Sequence, residues 1–218
     1  MAEPAFHLAM REAATGAWEA MQGHRFVRDV EADRLPAEVF VRYLAYEADF
    51  VDTAVLIFGH ALLRAPGFAE RRVLVNVQRG LVEEQLPYFQ ATFRQMQITP
   101  PARESFPAAV ASFRDGMLGM AQSGSYEEII AAMLAAEWMY ATWCGRAAAG
   151  GISDAHLRQW VRLHAEEPFL RGVAWLQGQV DARALLVAPA MREAMVGCFR
   201  RTLMLEVGFH SAPYEAGG

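Results

Sequence analysis

Residues 36–64 read PAEVFVRYLAYEADFVDTAVLIFGHALLR. Apolar side chains recur at Phe40, Tyr43, Leu44, Phe50, Val51 and Val55, the spacing that turns one stripe of an α-helix toward a core. Pro36 suits the first helical turn, and Ala65-Pro66-Gly67 ends the pattern. One residue in the stripe is wrong for a plain core. Glu47 stands where an apolar side chain is expected, and a carboxylate there is costly unless it is paired, hydrogen-bonded or held neutral.

The same interruption recurs on three further helical patterns. Glu137 follows Ile130, Met133 and Leu134; His164 follows Trp160 and Val161 and precedes Phe169; Glu206 lies among Phe199, Leu203 and Phe209. One such residue is ordinary in a core. Four of them, each on its own helix, predict a buried polar pocket lined by Glu47, Glu137, His164 and Glu206 inside a helical bundle.

Helical periodicity dominates the rest of the chain, and no strict two-residue alternation bounded by hairpin turns stands out. Residues 5–21 form a first helix, and His24-Arg25-Phe26-Val27 a short element. After the helix that ends near Arg64, a third spans residues 69–96, with Pro87 predicting a kink or break. A fourth covers 106–122. Ser125 and Glu128 have the spacing of a capping box for a fifth, which runs to Gly150-Gly151. Ser153 is the expected cap of a sixth over 154–181, bent at Pro168, and the last helix runs over 188–210. The expected architecture is all-α, one domain over residues 1–218.

Composition narrows the function classes. Apolar residues make up 54% and charged residues 21% of 218, which disfavours disorder. A formal charge of −5, with no lysine and no arginine-rich run, argues against nucleic acid. No basic-then-apolar leader and no membrane-length apolar run is evident, so the expected compartment is the cytoplasm. Cys144 and Cys198 lack metal-ligand spacing and read as reduced structural thiols.

No glycine-rich phosphate loop, nucleophile elbow or His-Glu-x-x-His occurs. Desolvated carboxylates remain, suited to acid–base work. Glu206 and His210 lie one turn apart, which is compatible with a metal site. The repeated Glu-x-x-His pairs of di-metal bundles are missing, however, so no metal or other cofactor is expected. A helix-end histidine favoured by the macrodipole is the plainer reading. Glu137, Trp138 and Tyr140 read as a carboxylate-plus-aromatic cluster, or as two core rings beside a paired glutamate. His164 is by itself a core histidine with a local carbonyl, such as one freed by Pro168, as its partner.

Taken together, Leu35-Pro36…Phe40…Tyr43-Leu44…Glu47…Phe50, then Tyr126…Ile129…Met133-Leu134…Trp138-Met139-Tyr140, then Leu205-Glu206…Phe209 resemble the thiaminase II (TenA) family. The resemblance runs from about residue 5 to residue 214 and implies the haem-oxygenase-like helical bundle. It implies hydrolysis of aminopyrimidines, chiefly 4-amino-5-aminomethyl-2-methylpyrimidine to its hydroxymethyl form, in thiamine salvage. Glu206 matches the family's catalytic glutamate, and Glu47 its pyrimidine-binding aspartate with one more methylene. Three departures stand out. The nucleophilic cysteine falls on Ala136, His164 replaces a tyrosine, and His210 stands where tryptophan is usual. Loss of the cysteine resembles the branch in which a glutamate stands in for it.

The expected protein is thus an aminopyrimidine hydrolase, with Glu206, Glu137 and His164 catalytic. Glu47, Phe50, Trp138, Tyr140, Phe209 and His210 are its expected substrate contacts. The resemblance also implies a homo-oligomer, tetramer or dimer. The alternatives are an oxidative or metal-dependent enzyme on the same bundle, and a small-molecule-binding protein without catalysis.

Overall fold

The computed structural model describes residues 5–215, and among these every regular element is helical. The helices are α1 Phe6–Ala13, α2 Thr15–Gln22, α3 Arg25–Glu31, α4 Ala37–Arg64, α5 Phe68–Gly80, α6 Leu86–Met96, α7 Ala108–Ser123, α8 Tyr126–Ala149, α9 Ala155–Ala165, α10 Phe169–Ala184 and α11 Pro189–Ser211. A π-turn over Leu81–Gln85 joins α5 to α6, and short 3₁₀ turns cover Arg103–Ser105 and Ala212–Tyr214. None of these helices is long and apolar enough to cross a membrane.

Several expected boundaries move, each for a local reason. The helix expected over 5–21 divides at Ala14, where φ is −109° and ψ 18°. There the Thr15 hydroxyl donates back to the Glu12 carbonyl at 2.6 Å, so the side chain competes with the helix ladder. His24, which opens the short element expected at 24–27, caps α3 by accepting from the Phe26 N–H at 3.1 Å. The sixth helix is two, α9 and α10, separated at 166–168. Its cap is also corrected: Asp154, not Ser153, accepts from the Leu157 N–H at 2.7 Å. Ser153 instead donates its backbone N–H to Asp33 Oδ1 at 2.9 Å.

Pro87 breaks nothing. It has no N–H to offer the carbonyl of Glu83, and its ring would clash there in a regular helix. The chain widens to a π-turn just ahead of it, with the Leu86 N–H reaching Leu81 O, and continues as α6. That helix ends on Gln97 in the left-handed region at φ 57°, with Ile98 N–H closing onto Phe93 O at 2.9 Å.

By internal packing the chain forms two units, each discontinuous in sequence. The first takes residues 1–35 and 127–207. Trp143 and Trp160 stack at 5.6 Å and are fully buried, with Phe26 edge-on to Trp143 at 6.1 Å. Polar ties hold its helices: Asp181 accepts from the His7 backbone N–H and meets its ring nitrogen, both at 2.8 Å. Arg146 donates to Glu31 at 2.8 Å and Gln22 at 2.6 Å. The second takes residues 36–126 and 208–218. Its core is aromatic: Phe113 lies 4.6 Å from Phe50 and 4.7 Å from Phe209, and Phe209 packs edge-on to Tyr43 at 5.7 Å. Arg42 donates to Pro213 O at 2.6 Å, and Gln78 to Val55 O at 3.0 Å.

The caps give a direct test. Asp154→Ala should cost about 1 kcal/mol in urea-induced unfolding, whereas Ser153→Ala should change stability by only a few tenths, because its side chain is not the cap.

Candidate functional site

In the second unit the candidate residues sit on the inward faces of α4 and the end of α11. Glu47 is 8% exposed, in a turn of α4 that also buries Tyr43, Leu44 and Val51. Arg42 and Arg64 do not compensate it. The first reaches Pro213, and the second reaches His60 and the Gln122 carbonyl. Phe50 packs on Phe113, while Phe209 contacts both Phe113 and Tyr43. His210 is fully buried in the last turn of α11, its ring tilted 5.4 Å from Tyr43.

One polar group here was missed in the sequence. Tyr88 lies just after the π-turn and packs beside Phe89, with ring centroids 5.4 Å apart. Burial first, then the Glu47 charge, push its phenol up to about 12. Its signal was hidden because each residue inserted by a π-turn rotates the rest of the helix by roughly 100°, so a regular helix drawn through Pro87 misplaces it.

In the first unit, His164 is 7% exposed near the end of α9. Three rings surround it, with centroids at 4.3 Å for Trp160, 4.9 Å for Phe169 and 5.2 Å for Tyr140. Its Nδ1 donates to the Trp160 carbonyl at 2.9 Å, not to a carbonyl freed by Pro168. That bond places the proton on Nδ1 and leaves Nε2 as an acceptor. Burial pushes the imidazole down to about 4, outweighing the Trp160 bond, so at neutral pH the ring is uncharged.

Glu137 lies in the middle of α8, beyond the fully buried Leu134. Its side chain is half-buried. Burial alone raises it to about 7. Glu206 is 1% exposed on α11, one turn beyond the buried Thr202 and Leu203.

The expected 137–140 cluster divides. Residues two apart on a helix point about 200° apart, and the rings follow that rule. Tyr140 joins Trp143, Trp160 and His164. Trp138 instead meets Trp18 at 5.0 Å, His7 at 5.4 Å and Phe199 at 6.3 Å, with the Arg11 guanidinium 5.2 Å from its ring centre. These contacts pack Trp138 on a different side of α8 from Tyr140. Among the described residues no three His, Cys, Asp or Glu side chains are grouped so as to hold a metal ion.

The chain belongs to the TENA/THI-4/PQQC family, whose description it matches over residues 11–216. It is 23% identical to an aminopyrimidine aminohydrolase of Halalkalibacterium halodurans, across 96% of each chain. It is 21% identical to an aminopyrimidine aminohydrolase of Helicobacter pylori, across 93% of this chain and 95% of that one. Among solved structures, a TenA homologue from Pyrococcus furiosus superposes with a TM-score of 0.89 at 15% identity, covering 96% of this chain and all of the other. The all-α, haem-oxygenase-like fold expected from the resemblance is therefore the fold of this protein.

The two shifted groups pull stability in opposite directions with pH. Glu137 binds its proton more tightly folded than unfolded, so its burial destabilises progressively as pH rises from 4.5 through about 7. His164 binds its proton less tightly folded, so stability is full above 6.5 and is lost as pH falls toward 4. Glu137→Gln should therefore be more stable than the parent, by on the order of 1–3 kcal/mol at pH 8. The gap should close toward pH 4.5 in melting curves taken across that range.

Proposed function

We propose that this protein is an aminopyrimidine aminohydrolase of the cysteine-lacking kind, converting an aminomethylpyrimidine and water to a hydroxymethylpyrimidine and ammonia. Near-full-length similarity to two enzymes of that name supports the activity. The observation that carries the reading is the burial of Glu47, His164 and Glu206 on helix faces that would otherwise be apolar. Such placement is expensive for a structure and useful to a catalyst.

In this reading Glu47 accepts hydrogen bonds from the amino group of the pyrimidine, and Phe50 and Phe209 provide aromatic surface. Water attacks the exocyclic methylene carbon as its C–N bond breaks. The water proton passes to Glu137 and Glu206 supplies a proton to the leaving amine, so one proton is taken up and one released. Glu137 is preferred to His164 as the base. A group near 7 balances availability against strength at neutral pH, whereas an imidazole near 4 is too weak a base. His164 and Tyr140 then line the site, and His210 packs against Tyr43.

The test is ammonia release from 4-amino-5-aminomethyl-2-methylpyrimidine. Glu206→Gln keeps shape but carries no proton, and should lower turnover on the order of 10²–10⁴-fold. Glu47→Gln should act mainly on KM. A folded parent protein inert toward every aminopyrimidine would end the hydrolase reading. Stoichiometric iron, manganese or zinc retained on purification would favour the oxidative alternative instead.

The same proposal includes self-association. Leu56 and Leu63 on α4, and Phe68, Val75 and Val82 along α5 and the π-turn, recur every seven residues as exposed apolar rows. Leu63 and Phe68 are 79% and 80% exposed, a pattern suited to burial against a second copy. Light scattering should give a dimer or tetramer, and Leu63→Glu with Phe68→Glu should shift it toward monomer while the helical circular dichroism persists.

A further inference from the structure

Tyr88 carries a polar atom that the fold buries and does not use. Its hydroxyl oxygen is shielded from solvent and makes no hydrogen bond within the protein. The Thr92 side chain lies beside it, one turn on, without completing a bond of good geometry. A buried hydroxyl left this way is costly to the fold. Phenylalanine would fill the same space at no such cost, so packing alone does not account for the oxygen.

The surroundings give that oxygen a direction. Tyr88 belongs to α6 just after the π-turn, and both elements pack against α4, the helix that carries Glu47. The Glu47 carboxylate acts on the phenol through space, and the phenol stays protonated throughout the physiological range. The second unit therefore carries a buried carboxylate acceptor on α4 and a buried hydroxyl donor on α6, a helix packed against α4. The complementary ligand edge is an amino group next to an acceptor ring nitrogen, the amidine edge of an aromatic heterocycle.

We infer that the Tyr88 hydroxyl is a second recognition group beside Glu47, donating to an acceptor nitrogen of the aminopyrimidine that Glu47 binds. The inference rests on the hydrolase reading and adds a residue to it. The π-turn is then functional as well as steric, because it sets the helical phase of position 88 on a helix packed against α4.

Tyr88→Phe removes one oxygen and no volume elsewhere. Steady-state turnover of 4-amino-5-aminomethyl-2-methylpyrimidine should show KM raised about 5- to 10-fold, the loss of one neutral hydrogen bond, with kcat within about twofold. Calorimetric titration with the hydroxymethyl product should show an equal loss of affinity. The melting temperature should be unchanged or higher, because an unsatisfied buried group has been removed. A drop in melting temperature with KM unchanged would assign Tyr88 to structure and overturn the inference. So would parent-like KM and affinity in a fully active background, and that result would leave the hydrolase reading standing. A parent protein that neither binds the product nor releases ammonia overturns both together.

Discussion

Desolvation of ionisable groups is the constraint around which this fold is arranged. A helix face is buried to remove apolar surface from water, yet α4, α9 and α11 each give one place on that face to Glu47, His164 or Glu206. The conflict is resolved differently at each visible site. His164 gives up its charge, donates Nδ1–H to Trp160 and is enclosed by three rings. Glu137 holds its proton to about neutrality. The aromatic groups around Trp143 and Trp160 in one unit, and around Phe113 in the other, supply the rigid packing against which such groups are held. Each ring pair adds roughly 0.5–1.5 kcal/mol beyond the area it buries.

How much of this is legible in the sequence depends on whether the information is local. The helices were legible because apolar periodicity is repeated over many residues, and so were the carboxylates, as interruptions of it. Cap identity was not. Ser153 and Asp154 are both good N-caps, and the choice is made by a distant residue, since Asp33 takes the Ser153 N–H. The split at Ala14 turns on a single Thr15 hydroxyl bond, too small a signal to outweigh an amphipathic stripe.

The rings after Glu137 offer a different lesson. That Trp138 and Tyr140 point apart is implied by their two-residue spacing, which favours the reading of two core rings over that of one cluster. Tyr88 could not have been placed that way. Pro87 announces a disturbance, but a kink, a break and a π-turn all answer the missing N–H, and only the last shifts the helical phase while keeping the helix. The segment packs against α4, a contact between residues far apart in sequence that local pattern does not reveal.

The proposed reaction is also constrained by the thiols of this chain. Cys144 is fully buried beside Trp143, eight residues from Ala136, and burial pushes the Cys198 thiol up to about 11. At neutral pH a thiol of that kind is ionised in roughly one molecule in 10⁴, which makes it a poor nucleophile. A carboxylate attacks carbon weakly as well. Water is the remaining nucleophile, and water needs a base of matching strength close to neutrality. Burial gives Glu137 that property, beside Ala136, the position on which the resemblance places the family's cysteine. In the proposed reaction, the missing thiol and the raised adjacent carboxyl go together, with direct hydrolysis in place of a covalent route.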